Sequence, residues 1–221
     1  MNGTGGPPEA IVVRTDLANT ASIVQALRRA GLGPRLSQEP CDVLDAPIAV
    51  LPGVGAFGAA MDGLRRTGLD GALIERVSQG RPLLAICLGL QVLCASSEES
   101  PGVNGLDIIS SGVTRLTPGP GVRVPHLGWN RVSPGPGFTA AGSGMAYFAN
   151  SYKLDEVPSA SEGWTVCTCI HGGEFVAALQ RGSLLACQFH PELSGSWGAG
   201  LIASWVRTSL SREGTSYSAP V

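Results

Sequence analysis

Apolar residues along this chain come in short continuous runs, each bounded by glycine or proline and followed by a helical pattern. Ile11-Val12-Val13 is the first run and reads as a buried strand. Over residues 19–30 the apolar positions Ile23, Val24, Leu27 and Ala30 have helical spacing, and Gly31 offers a C-cap. A second run, Ile48-Ala49-Val50-Leu51, is halted by Pro52-Gly53-Val54-Gly55. Helices are predicted over 59–66 and 69–79, then a strand over 83–86 leading through Cys87 into a helix that carries Gln91. This alternation predicts an α/β fold, a mostly parallel central sheet with helices on both faces. Ligands of such sheets bind beyond the carboxyl ends of the strands, where Pro52 to Gly55 and Cys87 both fall.

Past Gly105 the pattern changes. Strands are predicted over 122–132, 145–149, 165–170, 175–179 and 184–188, separated by Gly/Pro turns. The C-terminal half is therefore β-rich and partly antiparallel. A closing helix over 199–210 carries Leu201, Ile202, Trp205 and Val206 on one face. No repeat or interdomain linker interrupts the chain. One domain is expected over 10–210, with 1–9 and 211–221 as frayed tails.

Composition narrows the classes. Of 221 residues 43% are hydrophobic and 14% charged, and the net charge of -2 leaves no basic footprint for nucleic acid. No apolar run approaches the ~20 residues that span a bilayer, and the N-terminus lacks a secretory pattern. A cytoplasmic protein that binds neither membrane nor nucleic acid is expected. The six cysteines show no zinc-like or CxxC spacing, so reduced thiols and no metal or other cofactor are the simplest reading.

Chemistry concentrates at two places. In Leu83-Leu84-Ala85-Ile86-Cys87-Leu88-Gly89-Leu90-Gln91 a strand stops at a cysteine, with a glycine two positions on and a helix beginning. Such an elbow exposes a nucleophile, and the amides opening the helix favour thiolate and can hold an oxyanion. Alone, a cysteine after a strand is more often core. A thiolate nucleophile also needs an oriented base, and the chain has only three histidines. His190 ends the run 184–189, and Glu192, two residues on, is placed to accept its second N–H. His126 and His171 have no carboxylate at that spacing, which favours structural roles for them.

With Cys87, His190 and Glu192 in view, the chain resembles the class I glutamine amidotransferases, enzymes with a Cys-His-Glu triad on a mostly parallel, flavodoxin-like sheet. The resemblance runs in collinear blocks from Asp16 to about Val206. The elbow and Gln188-Phe189-His190-Pro191-Glu192 mark the superfamily. Leu51-Pro52-Gly53-Val54-Gly55-Ala56-Phe57, Pro125-His126-Leu127-Gly128-Trp129 and Asn150-Ser151-Tyr152 are similar to the glutaminase subunits of imidazole glycerol phosphate synthases, which serve histidine biosynthesis. The resemblance implies that Cys87 attacks glutamine, His190 moves the proton and Glu192 orients His190. It also implies that Leu88 and Gly53 or Val54 supply oxyanion amides, and that Gly55, Gln91, Glu99, Ser151 and Tyr152 hold glutamine. The implied partner is a separate cyclase subunit, a (β/α)8 barrel, in a heterodimer. Ala85, Asn150 and Leu193 depart from the family pattern, standing where glycine, histidine and lysine are frequent.

Two other readings stay open at this point. One is a glutaminase of another pathway or a γ-glutamyl hydrolase, and the Pro-His-Leu-Gly-Trp and Asn-Ser-Tyr blocks speak against it. The other is a non-catalytic module that kept the fold, against which the intact Cys87, His190 and Glu192 argue.

Overall fold

The first apolar run forms strand β1 (Glu9–Val13), and the helical spacing after it forms α1 (Thr20–Arg29), which buries Ile23 and Leu27. Gly31, at φ 76°, ends α1: its N–H reaches the Arg28 carbonyl while Leu32 N–H reaches that of Leu27. This is the paired bonding of a glycine-terminated helix. In this computed structural model residues 6–14, 20–154 and 162–212 are described; Asp16, Ala18 and Asn19 lie outside them.

The next elements are β2 (Gly33–Ser37), α2 (Pro40–Asp45), β3 (Ile48–Gly53), α3 (Phe57–Thr67), α4 (Leu69–Ser78), β4 (Leu83–Cys87) and α5 (Leu88–Val92). The second half contributes β5 (Cys94–Ser97), β6 (Ile109–Arg115), β7 (His126–Pro134), β8 (Gly144–Asn150) and β9 (Tyr152–Leu154). It then adds β10 (Thr165–Ile170), β11 (Glu174–Arg181), β12 (Leu184–Cys187), a 3-10 turn at Pro191–Leu193 and α6 (Gly195–Arg212).

The twelve strands among the described residues join one sheet, with the main order β2-β1-β3-β4-β12-β11-β10-β7-β8 and β5, β6 and β9 off this path. Strands β2, β1, β3, β4 and β12 run parallel, and β11, β10, β7 and β8 continue antiparallel. The parallel strands read as unbroken apolar runs because both faces are covered. Val12, Val50, Leu84 and Leu185 face one core with Leu27 of α1 and Leu201 and Trp205 of α6. Ile11, Leu51, Leu83 and Ala85 face the other with Val43 of α2, Phe57 and Met61 of α3, Leu73 of α4 and Leu90 of α5.

One connection decides where the chemistry lies. Strand β12 comes from the β-rich half yet inserts beside β4, parallel to it, with Cys187 opposite Ile86. The chain leaving β12 therefore emerges at the same carboxyl edge as Cys87.

Several predicted boundaries move. The strand expected over 122–132 starts only at His126, because Gly119 and Val122 close a tight bridge before it. The last helix begins at Gly195, four residues before the expected start, and runs to Arg212, past the expected limit of the domain at 210. At the other end Glu9 already belongs to β1, and the Pro8 carbonyl accepts the Gly33 N–H at 2.9 Å.

Arg76 of α4 is fully buried, although nothing in its spacing announces it. Its guanidinium donates to the carbonyls of Val43, Ala46 (2.9 Å), Pro47 (3.2 Å) and Pro82 (2.7 and 2.9 Å). It thus gathers the C-terminal end of α2, the turn into β3 and the turn into β4. Arg76→Met strips these carbonyls of their donors while keeping the stem. Loss of charged hydrogen bonds that leaves buried acceptors unpaired costs about 3 kcal/mol or more. Denaturant unfolding should show that loss as a lower midpoint with an unchanged slope.

Candidate active site

Strand β4 and helix α5 meet at Cys87 with no residue to spare. Cys87 has φ 55° and ψ -111°, a conformation that L-residues avoid, and this turns its side chain out at the carboxyl edge. The close approach of the next strand explains the glycines around it. A Cβ on Gly89 would stand 2.1 Å from the Leu51 carbonyl oxygen, and one on Gly53 would stand 2.8 Å from Leu88 Cβ. Gly53 pairs with Cys87 across β3 and β4, so the Pro52-Gly53-Val54-Gly55 turn is held directly beside the thiol. Gly55, with φ 102°, lets that turn fold back towards α3.

This packing gives a sharp expectation. Gly89→Ala forces β3 away from the elbow, so any turnover at Cys87 should fall about a hundredfold or more, as misplacement of a reacting group by about 1 Å does. Gly71→Ala in α4, where an added Cβ meets nothing within 4 Å, should leave turnover unchanged. Steady-state assays of the two folded variants, side by side, check the contrast.

His190 follows β12 and is fixed by its backbone as well as its ring. Its N–H donates to the Tyr147 carbonyl of β8 at 2.9 Å, and its own carbonyl accepts the Ser194 hydroxyl at 2.6 Å. Ser194 Oγ in turn accepts the Tyr147 N–H at 3.0 Å, closing a small cycle around the 3-10 turn. The ring Nδ1 lies 2.9 Å from Glu192 Oε1, with both side chains nearly excluded from solvent. Nδ1 therefore carries the hydrogen that Glu192 accepts, and Nε2 is left free for the Cys87 thiol, whose charge also acts on the ring. Burial alone pulls the imidazolium down. The hydrogen bonds and charges of Cys87 and Glu192 outweigh it, and the His190 pKa is pushed up to about 10.

The other histidines sit elsewhere in chemical terms. His126 stacks on His171 at 3.9 Å and on Phe148 at 4.5 Å between ring centroids. Burial and the neighbouring His171 ring lower its pKa to about 4, so it is neutral at physiological pH. His171 bonds the Arg123 carbonyl through Nε2 at 2.8 Å. No carboxylate is hydrogen-bonded to either ring among the described contacts.

The remaining expected site residues fall into two groups. Gly53 pairs with Cys87 and Leu88 follows it in the chain, while a cavity of about 140 Å³ is lined by Ser22, Pro52, Gly53, Val54, His190 and Glu192. A larger cavity of about 360 Å³ lies against Leu51, Leu88 and Gly89, but neither His190 nor Glu192 reaches it. Cys87 lines neither cavity, and the smaller one is the one that the expected base and its carboxylate share.

Gln91 lies in α5, Glu99 just after β5, Ser151 between β8 and β9 and Tyr152 at the start of β9, and part of their hydrogen-bonding capacity is used within the protein. Glu99 Oε2 accepts the Phe57 N–H at 2.7 Å, capping α3 just after the glycine turn. Ser151 accepts the Leu116 N–H through its carbonyl. Gln91 Nε2 donates to the Tyr152 carbonyl and to Gln188 Oε1, each at 3.1 Å. Sequence reasoning missed Gln188 and Ser194. Gln188 did leave a signal, a polar residue inside the apolar run that ends at Phe189.

No group of three or more His, Cys, Asp or Glu side chains among the described residues could hold a metal ion. No helix among them is long and apolar enough to cross a membrane. All six cysteines are free thiols.

Comparison with known proteins settles the family. The profile of the glutamine amidotransferase class-I family matches residues 13–204. The chain belongs to the class-I glutamine amidotransferases. Its relatives place this amidotransferase in the HisH branch. The imidazole glycerol phosphate synthase subunit HisH of Streptococcus gordonii is 40% identical over 195 residues, spanning 87% of this chain and 92% of that one. The chloroplastic imidazole glycerol phosphate synthase hisHF of Arabidopsis thaliana is 41% identical over 196 residues. There the match spans 87% of this chain but only 33% of the plant protein. A crystal structure of a glutamine amidotransferase superposes with TM-score 0.72 at 20% identity, covering 90% of this chain and 98% of that one. That likeness supports the amidotransferase fold.

Proposed function

We propose that this glutamine amidotransferase is the glutaminase subunit of an imidazole glycerol phosphate synthase, hydrolysing L-glutamine and passing ammonia to a separate cyclase subunit. The observation that carries the proposal is the buried His190–Glu192 pair, hydrogen-bonded at 2.9 Å, at the same carboxyl edge as Cys87 on its strained elbow.

The reaction follows from that line. Cys87 sulfur attacks the side-chain carbonyl carbon of glutamine, and the carbonyl electron pair moves onto oxygen. The Leu88 N–H, with an amide of Gly53 or Val54, stabilises the oxyanion. As the tetrahedral intermediate collapses, His190 gives its Nε2 proton to the amide nitrogen, the C–N bond breaks and ammonia leaves. A thioester remains on Cys87. His190, now neutral, takes a proton from water as the water attacks the thioester; the C–S bond then breaks, releasing glutamate and restoring the thiolate–imidazolium pair. Glu192 stays ionised and orients His190 throughout. Gly55, Gln91, Glu99, Ser151 and Tyr152 hold the rest of glutamine. With its N–H groups engaged, Gln91 offers an oxygen to a donor on the ligand. Glu99 offers the oxygen not used at Phe57 to the α-ammonium.

The ammonia acceptor is the partner, a (β/α)8-barrel cyclase in a heterodimer. Exposed apolar residues rim the site and support docking there. Val54 and Leu193 both line the triad cavity and are exposed, and Trp129, 54% exposed, packs on Tyr147 and near Gly195. Their surface is apolar enough to be covered in a complex. Free thiols and a net charge of -2 fit work in the cytoplasm. The test is a glutaminase assay with and without the cyclase and its ligand. Turnover should rise by about tenfold or more when both are present, and a complex carrying Cys87→Ser should still make imidazole glycerol phosphate from added ammonium salts. Full activity of the isolated chain, with no binding to the cyclase, would overturn the pathway assignment.

A further inference from the structure

Beside Cys87 lies a short chain of buried amides that the triad does not use. Gln188 is completely buried and its Nε2 lies 3.8 Å from Cys87 Sγ. Which end of an amide points where must be fixed by something that cannot flip. Here that fixed point is a backbone carbonyl. Tyr152 oxygen accepts from Gln91 Nε2 at 3.1 Å and from Asn150 Nδ2 at 3.0 Å, and a carbonyl can only accept. Gln91 must therefore turn its NH2 group inward, where the same nitrogen donates to Gln188 Oε1 at 3.1 Å. With its oxygen committed, Gln188 can present only N–H to the sulfur.

We infer that Gln188 is a hydrogen-bond donor to the reacting sulfur, stabilising the Cys87 thiolate alongside His190, and that Gln91 is a positioning residue that sets the orientation of Gln188. A neutral thiol gains little from a donated N–H, whereas a thiolate in a buried site gains much, because charge-assisted bonds are roughly twice as strong as neutral ones. The amide chain therefore favours the attacking form of Cys87 before glutamine arrives. It also gives the early steps of α5 and β9 a reason to be adjacent: a carbonyl in β9 fixes an amide in α5, which fixes an amide after β12, which faces the end of β4. The inference rests on Cys87 being the nucleophile. The titratable groups around that thiol are His190, with Glu192 behind it, and the thiol of Cys187 on the neighbouring strand β12, held protonated by burial.

The test is the rate at which iodoacetamide alkylates Cys87 in the full chain, followed by peptide mass mapping across pH. Gln188→Met keeps the length and burial but removes the donor, and should move the midpoint of the alkylation profile up by about one pH unit. Gln188→Glu keeps the oxygen that Gln91 needs and places a carboxylate at the sulfur, so its midpoint should move at least as far. Gln91→Met should give a smaller shift in the same direction, and Q91M/Q188M should shift no further than Q188M alone, as expected for residues acting in series. A purely structural role would lower the unfolding midpoint and leave the alkylation profile where it is. If Gln188→Met does not fold, Gln188→Glu and Gln91→Met decide. An unchanged midpoint in a folded Gln188 variant overturns the inference while leaving the triad intact. If alkylation of Cys87 in the unaltered protein leaves glutaminase activity untouched, the nucleophile assignment itself falls.

Discussion

Cys87→Ala should hydrolyse glutamine at the background rate, about a thousandfold or more below the unaltered enzyme, with the same unfolding midpoint to within a few tenths of a kcal/mol. The loss is expected to be total in practice because the pathway through a thioester has no substitute for sulfur; water would have to attack an unactivated amide. The fold should survive because alanine removes one polarisable atom at the edge of a site, while the strained turn itself is imposed by Gly89 against Leu51 and Gly53 against Leu88. No other thiol can take over. Burial raises the pKa of Cys94, Cys167 and Cys169 to about 12 and that of Cys187 well up, so these stay protonated. Cys41 is exposed, on α2. Steady-state turnover beside denaturant unfolding reads both halves of the expectation; appreciable turnover in folded Cys87→Ala would refute the assignment.

His190→Ala should cost nearly as much, about a thousandfold, since in the proposed reaction one side chain both protonates the departing ammonia and activates water. Glu192→Gln should leave a weaker enzyme, about ten- to a hundredfold down, because it keeps the shape and loses only the charge and the preferred acceptor. Glu192 Oε2 is buried without a partner, so its charge is expressed towards His190. The same pair predicts a pH signature. His190 has a raised folded-state pKa, so the stabilisation it contributes is complete below the ordinary histidine value of about 6.5 and is lost as pH rises towards about 10. The acid form needed to expel ammonia is lost over the same range. The alkaline limb of glutaminase activity should therefore lie well above the usual histidine range, and Glu192→Gln should move it down. An alkaline limb near 6.5 in the unaltered enzyme, or one unmoved in Glu192→Gln, would contradict this arrangement.

What the residue pattern revealed and what it hid have physical reasons. The strands at Ile11, Ile48 and Leu83 were legible because a sheet covered on both faces demands unbroken apolar runs, and nothing else in a polar chain produces them. Strand β2 was not, because it is an edge strand whose Arg35 faces solvent and pairs with Glu9 and Asp42. Short β5 and β9 carry too few residues to show a period, and α2 is only six residues long. The proposed nucleophile and base could be picked out because elbow and strand end are local features. Their meeting was not, since it depends on β12 inserting beside β4, a non-local choice. Arg76 and the Gln91–Gln188 chain were hidden for the same reason: their partners are backbone carbonyls and amides that spacing along the chain does not bring together. Glu99 shows a double use, since the carboxylate expected to face the ligand also caps α3 at Phe57.

Processing of glutamine on the sulfur of Cys87 is tested most directly by incubating the full chain with an electrophilic glutamine analogue, with and without the cyclase, and mapping the adduct by mass spectrometry. A single adduct on Cys87, formed in step with loss of glutaminase activity and suppressed by excess glutamine, is the predicted result. An adduct on another residue, or inactivation with Cys87 unmodified, would contradict it.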